Sequence, residues 1–110
     1  MAQNPHVLFL LTGSIACYKA CTAISRLAQA GVTVQTVATP SALQFVGAAT
    51  LEGLSGRPVF TDVFAPGRAL DHIELARAAD LALVCPATAN TLNRLAAGIA
   101  DDAVGTLFLA

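Results

Sequence analysis

The sequence alternates short apolar runs with longer segments of helical periodicity, and this alternation restricts the possible folds more than any other feature. The runs at 6–12, 32–38 and 81–85 read HVLFLLT, VTVQTVA and LALVC, which is typical of buried strands. Between the first two runs, Ser14 to Ala30 has apolar residues at helical spacing and is followed by Gly31, a common helix stop. Strands that alternate with helices across short loops predict an α/β fold with a doubly wound parallel sheet.

The remaining segments extend this pattern and predict where a ligand binds. They comprise helices at 41–46, 48–54, 72–79 and 92–97, a short strand at 59–60, and a last segment at 101–110 that favours a helix, with a strand as the alternative. Right-handed crossovers give the strand order 3-2-1-4, in which the winding reverses between strands 1 and 4. Ligands bind such Rossmann-like sheets at the carboxyl ends of the strands beside the reversal. Loops 12–15 and 86–91 are therefore expected to flank a binding crevice.

Length and composition indicate one small domain that associates with itself. A chain of 110 residues has room for a single core, so we expect one domain spanning 1–110. Charged residues make up only 12%, about half the roughly 25% of an average domain. Apolar surface left uncovered in this way favours a homo-oligomer. A net charge of -1 and the absence of Trp argue against nucleic acid as a partner.

The apolar run near the amino terminus raises the question of an export signal. Val7 to Leu11 has only five apolar residues and no preceding positive charge, so a buried strand in a cytoplasmic protein is favoured over an export signal. Polar residues interrupt the longest uncharged stretch, so no membrane span is predicted.

Cys17 and Cys21 lie four residues apart, and no further ligands occur at metal-site spacing, which favours reduced, buried thiols. The role of Cys85, at the end of a strand, is left open.

Three loops at strand carboxyl ends have the same chemistry. Each is expected to open a helix with free backbone amides and hydroxyls, as in 13–15, 39–41 and 88–91. Thr39 is a candidate N-cap with Pro40 at the first helical position. Ordinary capping explains any one of these loops, but three at one end of a sheet favour a phosphorylated ligand.

The details of the loops restrict the ligand to the size of a mononucleotide. The first loop has one Gly where the dinucleotide fingerprint needs three, and strand 2 ends without an acidic residue for a ribose. A Gly-Lys-Ser/Thr phosphate loop is absent as well. A flavin mononucleotide (FMN) meets these restrictions.

Several segments in the same order resemble the flavin-containing cysteine decarboxylase family. They are GSIACYK at 13–19, TPSALQF at 39–45, HIELARAAD at 72–80, PATANT at 86–91 and GIADD at 98–102. The resemblance runs along essentially the whole chain. It implies that the chain is a Rossmann-like flavoprotein domain.

The resemblance also implies a set of site residues. FMN would be bound by three groups of residues, namely Gly13, Ser14 and Ile15; Thr39, Pro40 and Ser41; and Thr88, Ala89, Asn90 and Thr91. His72 matches the family's catalytic histidine, although its position in Asp71-x-x-Glu74 also fits a simple helix-capping arrangement. No metal is implied.

The activity implied by the resemblance is a decarboxylation of a small cysteine-terminated substrate. The reaction converts 4'-phosphopantothenoylcysteine to 4'-phosphopantetheine in coenzyme A synthesis, through a thioaldehyde and an enethiolate. A cysteine carboxylate needs such a route because a thiol-bearing carbon cannot accept the electrons that remain after carbon dioxide leaves. The family also implies a trimer, or a multiple of trimers.

Other functions remain open from the sequence. A peptidyl-cysteine decarboxylase that stops at the aminoenethiol would share the same loops, and so would a non-catalytic FMN-binding regulatory protein. A prenylated-flavin synthase of similar fold agrees less well with HIEL at 72–75. The family's Pro-Ala-Met-Asn segment and proton-donating cysteine do not occur among the 110 residues, so either the chain is an incomplete form of the domain, as we expect, or those groups come from elsewhere.

Overall fold

Three parallel strands form the centre of the computed structural model, which describes residues 4–61 and 71–109. They are β1 (His6–Leu11), β2 (Thr33–Ala38) and β3 (Leu81–Val84), in the order β2-β1-β3. Phe60 pairs with Val37 of β2 in an isolated parallel bridge, so the strand predicted at 59–60 is reduced to one bridge. Its position beside β2 agrees with the predicted order, and the α/β class is confirmed.

The helices lie close to their predicted positions. They are α1 (Cys17–Gln29), α2 (Ala48–Ser55), α3 (Asp71–Ala78), α4 (Ala89–Ala96) and α5 (Ala103–Leu109), with a 3₁₀ turn at Ala42–Gln44. The helix predicted at 41–46 is thus only this short turn, and the segment at 101–110 forms a helix rather than a strand. Gly31 follows α1 with a φ of 89°, which confirms the predicted helix stop, and Gly98 follows the last residues of α4 with a φ of 74°.

The two faces of the sheet are covered by different helices because the side chains of β1 alternate in direction. Phe9 and Leu11 pack on one face in a cluster that includes Ile24 of α1 and Leu51 of α2. On the other face, the core cluster contains Leu8, Leu10 and three residues of α5, with partly buried residues of α3 against it. Burial on both faces explains why the sequence of β1 is continuously apolar.

β3 is less covered than the other strands. It pairs with β1 along one edge, while Leu81 and Leu83 remain exposed. Within 4–61 and 71–109, none of the helices is both long and apolar enough to cross a membrane.

Candidate functional site

The carboxyl ends of the three strands bring three loops to one edge of the sheet. We call residues 12–16 the first loop, 39–41 the second loop and 85–88 the third loop. The backbone N–H of Thr39 donates to the carbonyl of Leu11 at 3.1 Å, and that of Cys85 donates to the carbonyl of Leu10 at 2.9 Å. Because these bonds continue the strand pairing, the loops begin side by side with the first loop in the middle.

The first and second loops touch through Gly13. A Cβ atom added to Gly13 would lie 2.5 Å from the Cβ of Ser41 and 3.1 Å from its carbonyl carbon. Real side chains do not approach one another this closely, so the contact requires a residue without a side chain. Two of the predicted cofactor-binding groups are therefore adjacent in the fold.

The first and third loops are joined by the side chain of Thr12. Its hydroxyl donates to the carbonyl of Pro86 and accepts a hydrogen bond of 3.1 Å from the N–H of Thr88. Thr12 itself is 1% exposed. The peptide bond between Cys85 and Pro86, at the start of the third loop, is cis.

In each of the three loops a hydroxyl accepts a hydrogen bond from a nearby backbone N–H, but only in the third does it cap a helix, since α1 and the 3₁₀ turn begin without a side-chain cap. Thr88 is the N-cap of α4, since its hydroxyl accepts from the N–H of Thr91 at 3.2 Å. The hydroxyl of Thr39 accepts from the N–H of Ala42 at 3.1 Å, and that of Ser14 accepts from the N–H of Ala16 at 3.1 Å. These hydroxyls stabilise the loops locally, whichever ligand the loops bind.

Capping leaves several backbone amides available at the surface. The N–H groups of Gly13, Ser14 and Ile15 have no acceptor among the described residues. Ala89 and Asn90 are the first two residues of α4, whose N–H groups have no partner inside the helix. Free amides at the positive end of a helix suit an anion such as a phosphate.

The predicted binding residues differ in how much of each is accessible. Ile15, Pro40, Ser41, Ala89 and Asn90 are exposed, Gly13, Ser14 and Thr88 are partly buried, and Thr39 and Thr91 are buried. The buried threonines are thus suited to supporting the loops, whereas the exposed residues can reach a ligand.

His72 is the second residue of α3, and its side chain lies outside the described part of the structure. The direction of α3 is nevertheless defined by its other end. Leu75 and Ala79 line a small cavity together with His6, at the amino end of β1, and the N–H of Asp80 donates to the carbonyl of His6 at 2.7 Å. The helix therefore runs toward the amino ends of the strands, and its first residues are the ones nearest to the edge where the three loops lie.

The three cysteines are free thiols. Cys17 is buried and its Sγ donates to the carbonyl of Thr12 at 3.3 Å. Burial raises the pKa of Cys21, with a further contribution from the nearby Cys17. A raised pKa keeps the thiol protonated near neutral pH, so Cys21 is not an activated nucleophile. Within 4–61 and 71–109, no cluster of three or more His, Cys, Asp or Glu side chains is placed to hold a metal.

Sequence reasoning missed the role of Thr12. The only signal was a polar residue directly after an apolar strand run, and such a residue is most often an ordinary cap or turn residue. Its partners lie 74 and 76 residues away, so local patterns do not reveal them.

Comparison with known proteins gives concordant results. The family model described as Flavoprotein matches residues 1–110. The coenzyme A biosynthesis bifunctional protein CoaBC of Mycobacterium bovis is 54% identical over 96 residues, which are 87% of this chain and 23% of that protein. The chain thus spans about a quarter of the length of this relative.

Solved structures resemble the fold over nearly all of the chain. TvaF, an FMN-dependent cysteine decarboxylase from thioviridamide biosynthesis, has a TM-score of 0.88 and 34% identity over 96% of this chain and 66% of its own. A mutant PPC decarboxylase complexed with pantothenoylaminoethenethiol has a TM-score of 0.78 and 29% identity, over 94% of this chain and 59% of its own. The match of the whole sequence to one family model, with these relatives, means that the chain belongs to the Flavoprotein family.

Proposed function

We propose that this chain is the FMN-binding part of an enzyme that decarboxylates 4'-phosphopantothenoylcysteine to 4'-phosphopantetheine. The observation that carries the proposal is the meeting of three loops at the carboxyl edge of the sheet, with free amides in the first loop and at the start of α4. The identity of 54% to a bifunctional protein of coenzyme A biosynthesis supports this substrate. Similarity to a PPC decarboxylase complexed with pantothenoylaminoethenethiol supports the same reaction.

The residues of the three loops fit FMN. The phosphate would bind the free amides of the first loop and of the start of α4, where Asn90 also offers an exposed side chain. Ser14, Ile15, Pro40 and Ser41 would contact the rest of the cofactor. Gly13, Thr39, Thr88, Ala89 and Thr91 would complete the site, with the threonine hydroxyls holding the loops in place. Bound FMN would supply the two-electron acceptor that decarboxylation of a cysteine carboxylate requires.

His72 is the proposed general base of the reaction. The direction of α3 supports this role, since His72 lies at the end of the helix that is nearer to the loops. A neutral imidazole at this position would be able to accept a proton from the substrate.

Replacement of His72 tests the proposed activity. His72→Asn should bind FMN normally but release carbon dioxide from carboxyl-labelled 4'-phosphopantothenoylcysteine about 100-fold more slowly, the usual scale for a positioned base. Glu74→Gln is the matched control, because Glu74 is exposed on the same helix and should leave the rate unchanged. A wild-type rate for His72→Asn with full FMN occupancy would show that His72 is only a helix-start residue.

Two other functions are separated by the same assay. Similarity to a solved peptidyl-cysteine decarboxylase favours a peptide with a terminal cysteine as the second candidate substrate. The mass of the product distinguishes a thiol from an enethiol. A protein that binds FMN and turns over neither substrate would be a flavin-binding regulatory protein.

The proposed assembly is a homotrimer or a multiple of trimers. Ile15 is 76% exposed, and Tyr18, Phe45 and Leu92 are also more than half exposed. All four belong to the loops of the site or to the helical turns beside them. Apolar side chains concentrated there suit a subunit boundary near the flavin.

A further inference from the structure

Thr12 links the third loop of the site to the buried strand β1. It follows directly after β1, and its side chain points away from solvent, with only 1% of the residue exposed. Most buried hydroxyls in proteins are hydrogen-bonded, and both partners of this one belong to the third loop.

The hydrogen bonds of Thr12 define the shape of the third loop. The hydroxyl donates to the carbonyl of Pro86 and accepts from the N–H of Thr88, so it holds the loop on both sides of Ala87. Among the described residues, strand pairing does not hold this part of the loop, because the pairing of β1 with β3 ends where the N–H of Cys85 donates to the carbonyl of Leu10.

The position of Thr88 in turn determines the start of α4. Its hydroxyl bonds to the hydroxyl of Thr91 at 3.1 Å and accepts from the N–H of the same residue. A shift of Thr88 would therefore move the first turn of α4 and redirect the amides of Ala89 and Asn90.

Thr12 is itself fixed from the opposite side. Its carbonyl accepts the hydrogen bond from Sγ of Cys17, which is fully buried at the start of α1. The next residue, Gly13, contacts Ser41 of the second loop. Thr12 therefore relates the third loop to both of the other loops.

We propose that Thr12 is a positioning residue for the cofactor site, and that its hydroxyl sets the geometry of the phosphate-binding amides at the start of α4. This inference rests on the proposed function, since it assumes that these amides bind the phosphate of FMN. The hydroxyl, rather than the size of the side chain, is the determining feature. Its loss would leave the carbonyl of Pro86 and the N–H of Thr88 without their partner.

Three variants separate positioning from simple packing. Thr12→Val keeps the shape of the side chain but removes the hydroxyl, whereas Thr12→Ser keeps the hydroxyl and removes the methyl group. Thr36→Val is the matched control, because it makes the same change at another fully buried threonine. The hydroxyl of Thr36 has no hydrogen-bond partner among the described residues.

FMN titration monitored by flavin fluorescence, with thermal unfolding of each variant, is the deciding experiment. Thr12→Val should bind FMN about 10-fold more weakly, the loss expected for unpaired, partly buried backbone groups. Thr12→Ser should remain within about threefold of wild type, since its hydroxyl can make the same bonds. Thr36→Val should bind FMN as wild type does.

The outcomes distinguish this inference from the proposed function. Wild-type affinity in a folded Thr12→Val, or equal losses in Thr12→Val and Thr12→Ser, would overturn the inference alone. A wild-type protein that binds no FMN would overturn the proposed function and this inference together.

A measurement on the wild type decides the matter if Thr12→Val does not fold. Amide hydrogen exchange in the FMN-free protein should show the N–H of Thr88 protected by its bond to Thr12, in contrast to the N–H of Ala89. Equal, rapid exchange at both positions would contradict the proposal.

Discussion

The close packing of the first and second loops depends on Gly13, because this residue has no side chain. Gly13→Ala would place a methyl group 2.5 Å from the Cβ of Ser41 and 3.1 Å from its carbonyl carbon. Because backbone atoms cannot swing aside, the first and second loops would have to separate. We expect FMN affinity to fall about 10-fold and the free energy of unfolding to fall by about 1–3 kcal/mol, the usual scale for overpacking.

Gly53→Ala provides the control for this prediction. Gly53 lies inside α2 with no atom within 4 Å of an added Cβ. The substitution should leave FMN affinity unchanged and raise the free energy of unfolding by up to about 1 kcal/mol, because Ala favours the helix. Equal FMN affinities for Gly13→Ala and wild type would contradict the assigned role of Gly13.

Sequence reasoning at the level of single residues succeeded where a contact is local. The local hydroxyl contacts of Thr39 and Thr88 were foreseeable, since each accepts from an N–H three residues later. Thr12 and the contact of Gly13 with Ser41 were not, because they depend on which loops the sheet brings together. The assignments of the ten FMN residues and of His72 remain predictions.

At the level of elements, β1, β2 and β3 end within one residue of their predicted positions, because each is an apolar run bounded by polar or glycine-containing segments. Helix starts were less predictable. α1 begins at Cys17 rather than Ser14, since Ser14 first forms a turn in which its carbonyl accepts from the N–H of Cys17 at 3.0 Å. α4 begins at Ala89 rather than Leu92, because Thr88 caps it.

An ion pair between α4 and the segment that precedes α5 is expected to make a pH-dependent contribution to stability. Arg94 of α4 donates a hydrogen bond to the carboxylate of Asp101, and this bond lowers the pKa of Asp101. Because the pKa of Asp101 is lower in the folded state, the ion pair stabilises the protein at pH values above the pKa of an unfolded Asp, about 3.9. This stabilisation is lost as the pH falls through the lowered pKa of Asp101 in the folded protein.

Chemical denaturation between pH 7 and about pH 3 checks this prediction, in a window set by the ordinary Asp pKa. Asp101→Asn should be slightly less stable than wild type at pH 7, and the difference should shrink in acid and in high salt because the pair is exposed. Glu52→Gln, which removes an exposed carboxylate without an ion pair in the described part of the chain, should show no such convergence. A difference for Asp101→Asn that is constant with pH would contradict the account.

For the whole molecule, the low charge content and the exposed apolar side chains beside the site predict self-association. Light scattering should give the mass of three chains or a multiple of three. Tyr18→Glu should shift the protein toward smaller species, because it puts a charge into the proposed boundary, whereas Thr22→Glu, one turn further along α1, should not. A stable, flavin-loaded monomer at micromolar concentration would rule out the proposed assembly.

At the scale of the whole molecule, we propose that the three loops at the carboxyl edge of the sheet together form a site for FMN. The most direct test is to purify the protein, record its visible absorbance spectrum, and determine the mass of the cofactor released on denaturation. We expect a yellow protein that releases FMN and no FAD, in keeping with a site limited to a mononucleotide. A colourless protein that also fails to bind added FMN in a titration would contradict this proposal.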